Sequence, residues 1–341
     1  MKIAVLGAGS WGTALTTVLA DNMNDIKLWS FELDHVEEMK ATRQNERFLE
    51  GVELSPERIQ IFHDIQACIS GVDLILIAVP SQVVRNVMKS ISDKVSKDQI
   101  LVNVSKGIEM KTLKRMSEVV AEFCPENTYV ILSGPSHAEE VAKKMPTTLV
   151  SASKSRKAAE LVQDLFTTEY LRIYTNPDVI GVELCGSLKN IIAIGAGITD
   201  GMGFGDNAKA ALMTRGITEI TRLGKVMGAR TETFAGLSGI GDLIVTCTSM
   251  HSRNRRCGIQ IGEGQTLDAA IASLGGMVVE GVYTAQSAYE LSQKYDVDMP
   301  ITKELYEVLY KDKNAKESVR NLMLRNQTHE VEALFDDEEW N

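Results

Sequence analysis

The stretch Lys2-Ile-Ala-Val-Leu-Gly-Ala-Gly-Ser-Trp-Gly-Thr-Ala-Leu-Thr-Thr-Val-Leu-Ala20 decides the fold of this 341-residue chain. An apolar run ending at Leu6 predicts a strand, and a helical pattern follows three glycines with the spacing G-x-G-x-x-G. At this spacing Gly7 permits a tight turn, Gly9 lets a diphosphate approach the backbone, and Gly12 lets the helix pack against the sheet. The free N–H groups at the helix N-terminus attract the same diphosphate. We therefore expect these glycines to bind a dinucleotide.

The residues after the second apolar run extend this expectation to the adenosine end of the dinucleotide. Residues 26–29 predict a second strand, and Phe31 and Glu32 come shortly after it. Glu32 lies about 20 residues beyond the glycines, where an acidic side chain holds the adenosine ribose. Both residues are candidate cofactor contacts, and the acid favours NADH because it repels a 2′-phosphate.

The opening residues also resemble a secretory signal, because Lys2 and a long uncharged run precede the small residue Ala20. Two observations favour the dinucleotide-binding interpretation. Three glycines interrupt the apolar run, and cleavage after Ala20 would remove the strand with which residues 26–29 must pair.

The charge balance limits the classes of partner. The chain has 36 Lys and Arg against 46 Asp and Glu, a formal net charge of −10. This balance argues against nucleic acid and anionic membranes as partners. An anionic substrate therefore requires a local cluster of cations.

Cysteine spacing and hydropathy indicate a cytoplasmic protein without a structural metal. The five cysteines are far apart and form no Cys-x-x-Cys pair, which is typical of reduced thiols in the cytoplasm. Neither they nor the five histidines show metal-ligand spacing, so we expect no metal site. The apolar stretch 179–198 carries Glu183 and Lys189, which predicts a buried helix rather than stable membrane insertion.

The first half of the chain alternates apolar runs with helical patterns, which predicts an α/β fold with a mostly parallel, Rossmann-type sheet. Further strands are expected at residues 58–62, 73–79, 100–104, 129–132, 147–150 and 171–174. Helices are expected at residues 81–91, 111–123, 136–143 and 155–166. From Asn176-Pro177-Asp178 onward, helical periodicity alternates with glycine loops. We therefore divide the chain into a dinucleotide-binding domain (residues 1–177), an all-helical substrate domain (178–335) and an acidic tail (336–341).

Polar or turn residues follow three predicted strands, at the edge where such a sheet binds ligands. Pro80 follows the strand at 73–79 and should lie at the edge of the cofactor groove. Lys106 follows the strand at 100–104, within reach of a nicotinamide and an anionic substrate, and Gly134 and Ser136 follow the strand at 129–132. Each also has an ordinary structural interpretation, namely a helix start for Pro80, a solvated charge for Lys106 and a helix cap for Ser136.

Lys189 is the most suggestive single residue because apolar and small side chains surround it in sequence. Burial lowers the pKa of a lysine towards neutrality, where the group exchanges a proton during reduction of a carbonyl by hydride. The structural alternative is a lysine that reaches solvent or pairs with Glu183. Helical geometry places Glu183 and Lys189 about 240° apart around the axis, so we do not expect this pair.

Asp242 and the sequence His251-Ser-Arg-Asn-Arg-Arg256 provide further candidates. Asp242 follows a glycine-rich stretch, where a carboxylate binds a substrate hydroxyl, orients a lysine or caps a helix. The arginines supply the cation cluster that an acidic chain needs, and Ser252 and Asn254 add neutral donors at a helix start. Phosphate binding is favoured over a solvated basic face.

Together these residues resemble the bacterial NAD(P)-dependent sn-glycerol-3-phosphate dehydrogenases, which reduce dihydroxyacetone phosphate for phospholipid synthesis. The resemblance covers nearly the whole chain apart from the acidic tail. It is carried by segments in matching order, namely Gly7-Ala-Gly-Ser-Trp-Gly-Thr13, Ala78-Val-Pro-Ser-Gln82, Ser105-Lys-Gly-Ile-Glu109, Ser133-Gly-Pro-Ser136, Leu188-Lys-Asn190, Gly236-Leu-Ser-Gly-Ile-Gly-Asp242, Ser252-Arg-Asn254 and Val279-Glu-Gly281.

The resemblance implies roles for the matching positions and a homodimer. Lys189 is implied to give a proton to the carbonyl oxygen as hydride arrives, and to take it in the reverse reaction. The implied substrate contacts are Lys106, Gly134, Ser136, Lys189, Asp242, Ser252, Arg253 and Asn254. The implied NAD(P)H contacts, beyond the three glycines, are Ser10, Trp11, Lys106, Ala138, Arg253, Val278 and Glu280.

Two other functions stay open from the sequence alone. A related two-domain dehydrogenase would act on a β-hydroxyacid and select a carboxylate, which fits the arginine cluster less well. A non-catalytic NAD(P)-sensing module has no need of a desolvated lysine. NADH and NADPH both stay open as cofactors, because relatives that prefer NADPH tend to have a basic residue or histidine where this chain has Phe31 and Glu32.

Overall fold

The structure, a computed structural model, describes residues 1–275, 277–327 and 330. Within these residues the strands are β1 (Lys2–Leu6), β2 (Asp25–Trp29), β3 (Gln44–Asn45), β4 (Leu49–Glu53), β5 (Ile59–Phe62), β6 (Leu74–Ile77), β7 (Ile100–Asn103), β8 (Tyr129–Ser133), β9 (Thr147–Ala152) and β10 (Leu171–Asn176). The helices of the first half are α1 (Ser10–Asp21), α2 (Leu33–Thr42), α3 (Ile65–Ile69), α4 (Val84–Ile91), α5 (Met116–Phe123), α6 (Ala138–Ala142) and α7 (Arg156–Phe166).

The remaining described elements are helical. They are α8 (Val179–Gly201), α9 (Asp206–Val226), α10 (Thr231–Phe234), α11 (Asp242–Thr248), α12 (Arg253–Gly262), α13 (Leu267–Ala272), α14 (Glu280–Lys294), α15 (Pro300–Tyr310) and α16 (Ala315–Met323). A 3₁₀ turn at Ser81–Val83 precedes α4, and a π-helical turn at Leu237–Gly241 precedes α11. The division of the chain at residue 177 stays a prediction, and the predicted acidic tail at 336–341 lies outside the described residues.

Eight strands form one mostly parallel sheet in the order β10-β9-β8-β7-β6-β1-β2-β5. The six strands from β5 to β8 run parallel, β9 is antiparallel to β8, and β10 is parallel to β9. The chain leaves β1 towards β2 on one side and later returns to β6 on the other. This reversal opens a crevice at the carboxyl end of β1, where ligands bind in such sheets. The prediction of a Rossmann-type α/β fold followed by a helical region is confirmed.

Both faces of β1 are buried, which explains its uninterrupted apolar sequence. Ile3 and Val5 face the layer that contains α1, α2 and α7, whereas Ala4 and Leu6 face α3, α4 and α5. The glycine sequence therefore begins at the end of a central strand whose position is fixed from both sides.

The long helix α8 lies at the centre of the C-terminal half. Among the described residues it is the one helix long and apolar enough to cross a membrane, and 94% of that apolar window is buried in the protein. Helices α9, α11, α12 and α14 pack around it. The prediction of a buried helix at 179–198 is confirmed. Asp178 caps this helix by accepting the Gly181 amide at 2.9 Å.

Helices α8 and α12 touch backbone to backbone. A Cβ atom added at Gly197 or Gly201 would lie 2.1 Å from a carbonyl oxygen of α12. One added at Gly258 would lie 2.1 Å from the carbonyl oxygen of Ile194 on α8. Small residues on both helices let the axes approach more closely than larger side chains permit. The start of α12 is therefore fixed relative to the middle of α8.

Several elements differ from the sequence prediction. The helix predicted at 111–123 begins at Met116, because Leu113 has a φ of +59° and Ile108 pairs with Arg115 in an antiparallel bridge. The helix predicted at 136–143 is only the five-residue α6, with His137 as its N-cap. The sequence did not predict α2, α3 or the β3–β4 hairpin. These segments are short or rich in charged residues, so their apolar period is weak.

Candidate active site

The glycine loop after β1 has the shape that a diphosphate requires. Gly7 has a φ of +120°, and a Cβ atom there would lie 2.7 Å from the carbonyl oxygen of Ala78. A Cβ atom at Gly12 would lie 2.0 Å from the Gly7 carbonyl oxygen, whereas Gly9 faces open space within 4 Å. Gly9 is the N-cap of α1 and supplies no side-chain cap, so amide groups of the first turn are left for a ligand. These residues fit a bound dinucleotide.

The β3–β4 hairpin holds this loop in place, a role that the sequence analysis missed. Asn45 Nδ2 donates to the Ala8 carbonyl oxygen at 2.8 Å, and Ser10 Oγ donates to the Phe48 carbonyl oxygen at 2.7 Å. Trp11 Nε1 is buried and has no hydrogen-bond partner among the described residues. Of the predicted cofactor contacts beside the glycines, Ser10 is thus tied to the hairpin, and Trp11 retains an unused donor.

The two predicted adenosine contacts follow β2. Phe31 is 77% exposed and makes an edge contact with Trp29, with ring centroids 6.4 Å apart. Glu32 pairs with Arg47 of the hairpin, with Nη1 3.0 Å from Oε2. Sequence reasoning missed Arg47, because a hairpin residue reaches this edge of the sheet only through the tertiary fold.

Lys106, Asp242 and Lys189 form an ion-paired cluster at the carboxyl edge of the sheet. Lys189 Nζ lies 2.6 Å from Asp242 Oδ1, and Lys106 Nζ lies 2.7 Å from Oδ2. Asp242 is 1% exposed and Lys189 is 6% exposed. The chain thus brings together a lysine after β7, a lysine on α8 and an acid at the start of α11. Asp242 orients the lysines, which is one of the roles predicted from sequence.

Lys189 has the properties of a proton donor near neutral pH. Burial lowers the pKa of Lys189 to about 8; Asp242 opposes this shift, while the charge of Lys106 adds to it. The ammonium group also donates to Thr246 Oγ1. Sequence reasoning missed Thr246, although it lies one helical turn after Asp242 and its hydroxyl donates to the Asp242 carbonyl oxygen at 2.6 Å.

Glu183 is held away from Lys189, as predicted. Its carboxylate accepts from Arg115 Nη1 at 2.7 Å and from the Tyr129 hydroxyl at 2.8 Å. The charge of Lys189 also acts on His137, whose pKa is lowered by burial and then by the lysine charge. Protonation of His137 is therefore disfavoured by the charge of Lys189 as well as by burial.

The residues after β8 surround the Lys106 ammonium. Gly134, with a φ of +136°, offers its carbonyl oxygen to Lys106 Nζ at 3.1 Å and to Ser136 Oγ at 3.1 Å. Ser136 is not a helix cap, because α6 begins at the buried Ala138. A Cβ atom at Gly186 would lie 2.8 Å from Ser133 Oγ, so this glycine lets α8 pack closely against the end of β8.

The start of α12 presents the predicted phosphate-binding residues. Ser252 caps the helix through the Arg255 amide at 3.2 Å, and Asn254 joins Asn190 Oδ1 at 3.0 Å to the Gly281 amide at 2.9 Å. Arg253 is exposed. The cationic cluster is smaller than the sequence suggested, because Arg255 is paired with Asp200 at 2.8 Å.

Glu280 closes the crevice from the helical half. Its carboxylate accepts from the Ser81 amide at 2.9 Å and from Ser81 Oγ at 2.6 Å, directly after Pro80. Burial raises the pKa of Glu280, and the hydrogen bonds from Ser81 oppose that shift. Val278 is partly buried two residues before it. Ser81, which sequence reasoning missed, therefore links the end of β6 to α14.

Comparison with known proteins gives a family for this arrangement. The profile described as NAD-dependent glycerol-3-phosphate dehydrogenase N-terminus matches residues 2–159, and the corresponding C-terminus profile matches residues 178–320. The two matches together span most of the chain.

Similar proteins cover nearly the full length. Glycerol-3-phosphate dehydrogenase (NAD(P)+) of Bacillus cytotoxicus is 53% identical over 338 residues, which cover 98% of each chain. The protein of the same description from a Thermoanaerobacter species is 53% identical over 334 residues, 98% of this chain and 100% of its own. The crystal structure of glycerol-3-phosphate dehydrogenase from Coxiella burnetii is 41% identical, with a TM-score of 0.92, over 95% of this chain and 99% of its own.

Proposed function

The chain belongs to the NAD-dependent glycerol-3-phosphate dehydrogenase family, and from this membership we propose that it reduces dihydroxyacetone phosphate to sn-glycerol 3-phosphate. The reaction is reversible, and NAD(P)H supplies the hydride when it is bound. The protein is accordingly an oxidoreductase acting on a CH–OH group, and its product supplies glycerophospholipid synthesis.

One observation carries the catalytic part of the proposal, namely the buried Lys189 held by Asp242 at 2.6 Å. Lys189 gives its proton to the carbonyl oxygen of the substrate as hydride reaches the carbon, and takes the proton in the reverse direction. A pKa near the working pH suits both directions, because neither protonation state is strongly disfavoured.

Lys106 provides electrostatic stabilisation beside this proton donor. The oxygen of the substrate gains negative charge as hydride arrives, and a preorganised cation lowers the energy of that charge. Asp242 holds Lys106 at 2.7 Å, and the Gly134 carbonyl oxygen holds it at 3.1 Å. Gly134 and Ser136 then line the substrate on the side of β8.

The phosphate group of the substrate is assigned to the start of α12. Arg253 supplies a planar cationic fork, and Ser252 and Asn254 add neutral donors next to the positive end of a ten-residue helix. Asn254 is bonded to Asn190, the residue after Lys189, so phosphate binding is connected to the catalytic helix.

The cofactor is assigned to the crevice between β1 and β6. The loop after β1 binds the diphosphate, and the residues after β2 bind the adenosine. The remaining contacts lie towards the nicotinamide. The full set is Gly7, Gly9, Ser10, Trp11, Gly12, Phe31, Glu32, Pro80, Lys106, Ala138, Arg253, Val278 and Glu280.

The test is loss of nicotinamide absorbance when the purified protein meets dihydroxyacetone phosphate with NADH, and separately with NADPH. Substrate-dependent oxidation is expected, with far slower turnover of unphosphorylated dihydroxyacetone. A β-hydroxyacid oxidised faster than sn-glycerol 3-phosphate would instead identify the related two-domain dehydrogenase. Nucleotide binding without any turnover would identify a sensor.

The role of Lys189 is tested by Lys189→Ala. This substitution is expected to abolish turnover while the dissociation constant for NAD(P)H changes little. Lys209→Ala is a matched control, because Lys209 lies on α9 and pairs with Asp200 instead of Asp242. Retained turnover in Lys189→Ala would overturn the assignment.

We further propose a cytoplasmic homodimer of two-domain subunits without stable membrane insertion. The scattered cysteines support the cytoplasmic location, and the net charge of −10 argues against binding to anionic membranes. The resemblance to the family supports the dimer. Light scattering on the purified protein measures the mass directly. A mass near 37.4 kDa at working concentration would contradict the dimer.

A further inference from the structure

Arg47 is the centre of a charge cluster at the carboxyl end of β2. Its Nη1 lies 3.0 Å from Glu32 Oε2, and its Nη2 lies 3.0 Å from both Asp34 Oδ2 and Glu38 Oε2. Three carboxylates therefore share one guanidinium, which leaves two negative charges in excess. The Arg47 guanidinium also lowers the pKa of Asp34, so that this acid keeps its charge in weakly acidic solution.

The cluster lies where the adenosine ribose of the proposed cofactor belongs. Glu32 is the N-cap of α2, three residues after the end of β2, and β2 is the immediate neighbour of β1. Arg47 lies in the turn of the β3–β4 hairpin, between Asn45 and Phe48. Those two residues carry the hydrogen bonds to Ala8 and Ser10 that tie the hairpin to the glycine loop.

Arg47 fixes only one side of the Glu32 carboxylate. It contacts Oε2, and within the described residues no hydrogen bond or ion pair to Oε1 is found. Oε1 is thus left to accept a hydrogen bond from solvent or from a donor on a ligand, on a side chain that is 53% exposed. A ribose 2′-hydroxyl supplies such a donor, whereas a 2′-phosphate supplies only further negative charge next to an excess of carboxylates.

We propose that this chain selects NADH over NADPH, and that Arg47 is the positioning residue that sets this selectivity by holding Glu32 for the ribose hydroxyls. The inference rests on the proposed function for the identity of the cofactor. It goes beyond the names of the relatives, which admit either nucleotide. The arginine acts through Glu32, because its fork is already occupied by three acids and the local charge remains negative.

The test is the ratio of the dissociation constants for NADPH and NADH, measured on the full-length protein by nicotinamide fluorescence at low salt. Wild type is expected to bind NADH at least about tenfold more tightly. Glu32→Gln should lower that ratio towards one, by weakening NADH binding and relieving repulsion of the 2′-phosphate. Arg47→Ala should weaken NADH several-fold without improving NADPH, because it removes the cation from the cluster.

Two matched controls separate this effect from general charge and from loss of an arginine. Glu37→Gln removes one charge from an exposed position of the same helix, α2. Arg58→Ala breaks an ion pair with Asp25, 3.1 Å long, at the opposite end of β2. Neither control is expected to change the ratio. A change in Glu37→Gln as large as in Glu32→Gln would overturn the assignment to Glu32.

Other outcomes contradict the proposal directly. Equal affinity of wild type for the two nucleotides would overturn the selectivity. Loss of NADPH binding alone in Arg47→Ala would show that Arg47 is a ligand of the 2′-phosphate. Because these are binding measurements, selective NADH binding without turnover of dihydroxyacetone phosphate would overturn only the proposed function. Turnover with equal affinities would overturn only the inference.

Discussion

Lys106 and Lys189 bind opposite oxygens of one buried carboxylate, at 2.7 and 2.6 Å. Two ammonium groups thus share a single negative charge, and the pair keeps a surplus positive charge. An oxygen that becomes negative during the reaction is attracted by this surplus. Burial is the main cause of the lowered pKa of Lys189, and the charge of Lys106 adds to that shift.

The two directions of the reaction should therefore depend on pH in opposite ways. Burial lowers the pKa of Lys189 to about 8. Reduction requires the protonated lysine, so kcat/KM for dihydroxyacetone phosphate is expected to fall above pH 8. In the proposed mechanism oxidation requires the neutral lysine, so kcat/KM for sn-glycerol 3-phosphate is expected to rise with pH up to about 8 and to level off above it. Profiles of kcat/KM in both directions check this, and parallel profiles would contradict it.

Asp242→Asn should impair turnover without preventing cofactor binding. The amide keeps the size of the side chain but removes the shared negative charge, so Lys189 loses its proton more readily and both lysines lose their orientation. We expect kcat for reduction to fall about 100-fold. Asp268→Asn, at an exposed position of α13, is the control. An unchanged kcat in Asp242→Asn would remove the carboxylate from the mechanism.

The hydroxyl of Thr246 should contribute less than Asp242. Thr246→Val keeps the shape of the side chain and removes one acceptor for the Lys189 ammonium. The expected result is a fall in kcat of about tenfold or less, with little change in KM for NADH, because one neutral hydrogen bond is lost. Thr248→Val is the matched control, since the exposed Thr248 hydroxyl donates to the Ile244 carbonyl oxygen of its own helix. An equal effect in both variants would indicate damage to α11 instead.

A buried acid far from the crevice predicts a pH dependence of stability. Glu219 is 2% exposed and accepts from the amides of Ile301 and Thr302 at the start of α15. Burial raises the pKa of Glu219 to about 7, so the folded state binds a proton more tightly than the unfolded state. This contribution to the free energy of unfolding is complete below about pH 4.5 and is lost as pH rises to about 7.

The check is urea unfolding between pH 4.5 and 7.5 for wild type and Glu219→Gln. The free energy of unfolding of wild type is expected to decline by up to about 3 kcal/mol over this range because of Glu219. The variant should lack this decline, because the amide does not titrate. The difference between the two proteins at each pH is the quantity of interest, since other acids titrate in both. Identical slopes would show that Glu219 is ionised throughout.

The sequence predicts much of the fold because the signals are local. The apolar run before Gly7 and the glycine spacing after it identify a central strand and a diphosphate loop without any tertiary information. The apolar surroundings of Lys189 likewise predict burial. The predicted ends of helices are wrong where the backbone conformation of one residue interrupts the helix. At Leu113 a positive φ does so, and α5 begins only at Met116.

The contacts within the site are harder to predict, because they join distant segments. Helical geometry excludes Glu183 as the partner of Lys189, but nothing in the sequence near Lys189 selects Asp242. Arg47 reaches Glu32 only because a hairpin folds against the glycine loop. Thr246 is an exception, since its distance of one turn from Asp242 is readable in the sequence.

The backbone contact between α8 and α12 has a consequence for the size of the substrate. Lys189 lies on the first of these helices, and the proposed phosphate-binding residues begin the second, so the glycines set the span between the proposed proton donor and the proposed phosphate site. A fixed distance that suits a three-carbon ketone phosphate does not suit ketose phosphates with longer chains. We therefore expect kcat/KM to fall steeply for ketose phosphates with additional carbons, which initial rates across such a series would measure. The close packing of α8 against α12 would then determine which chain lengths are accepted. No side chain in the pocket would need to exclude the longer sugars.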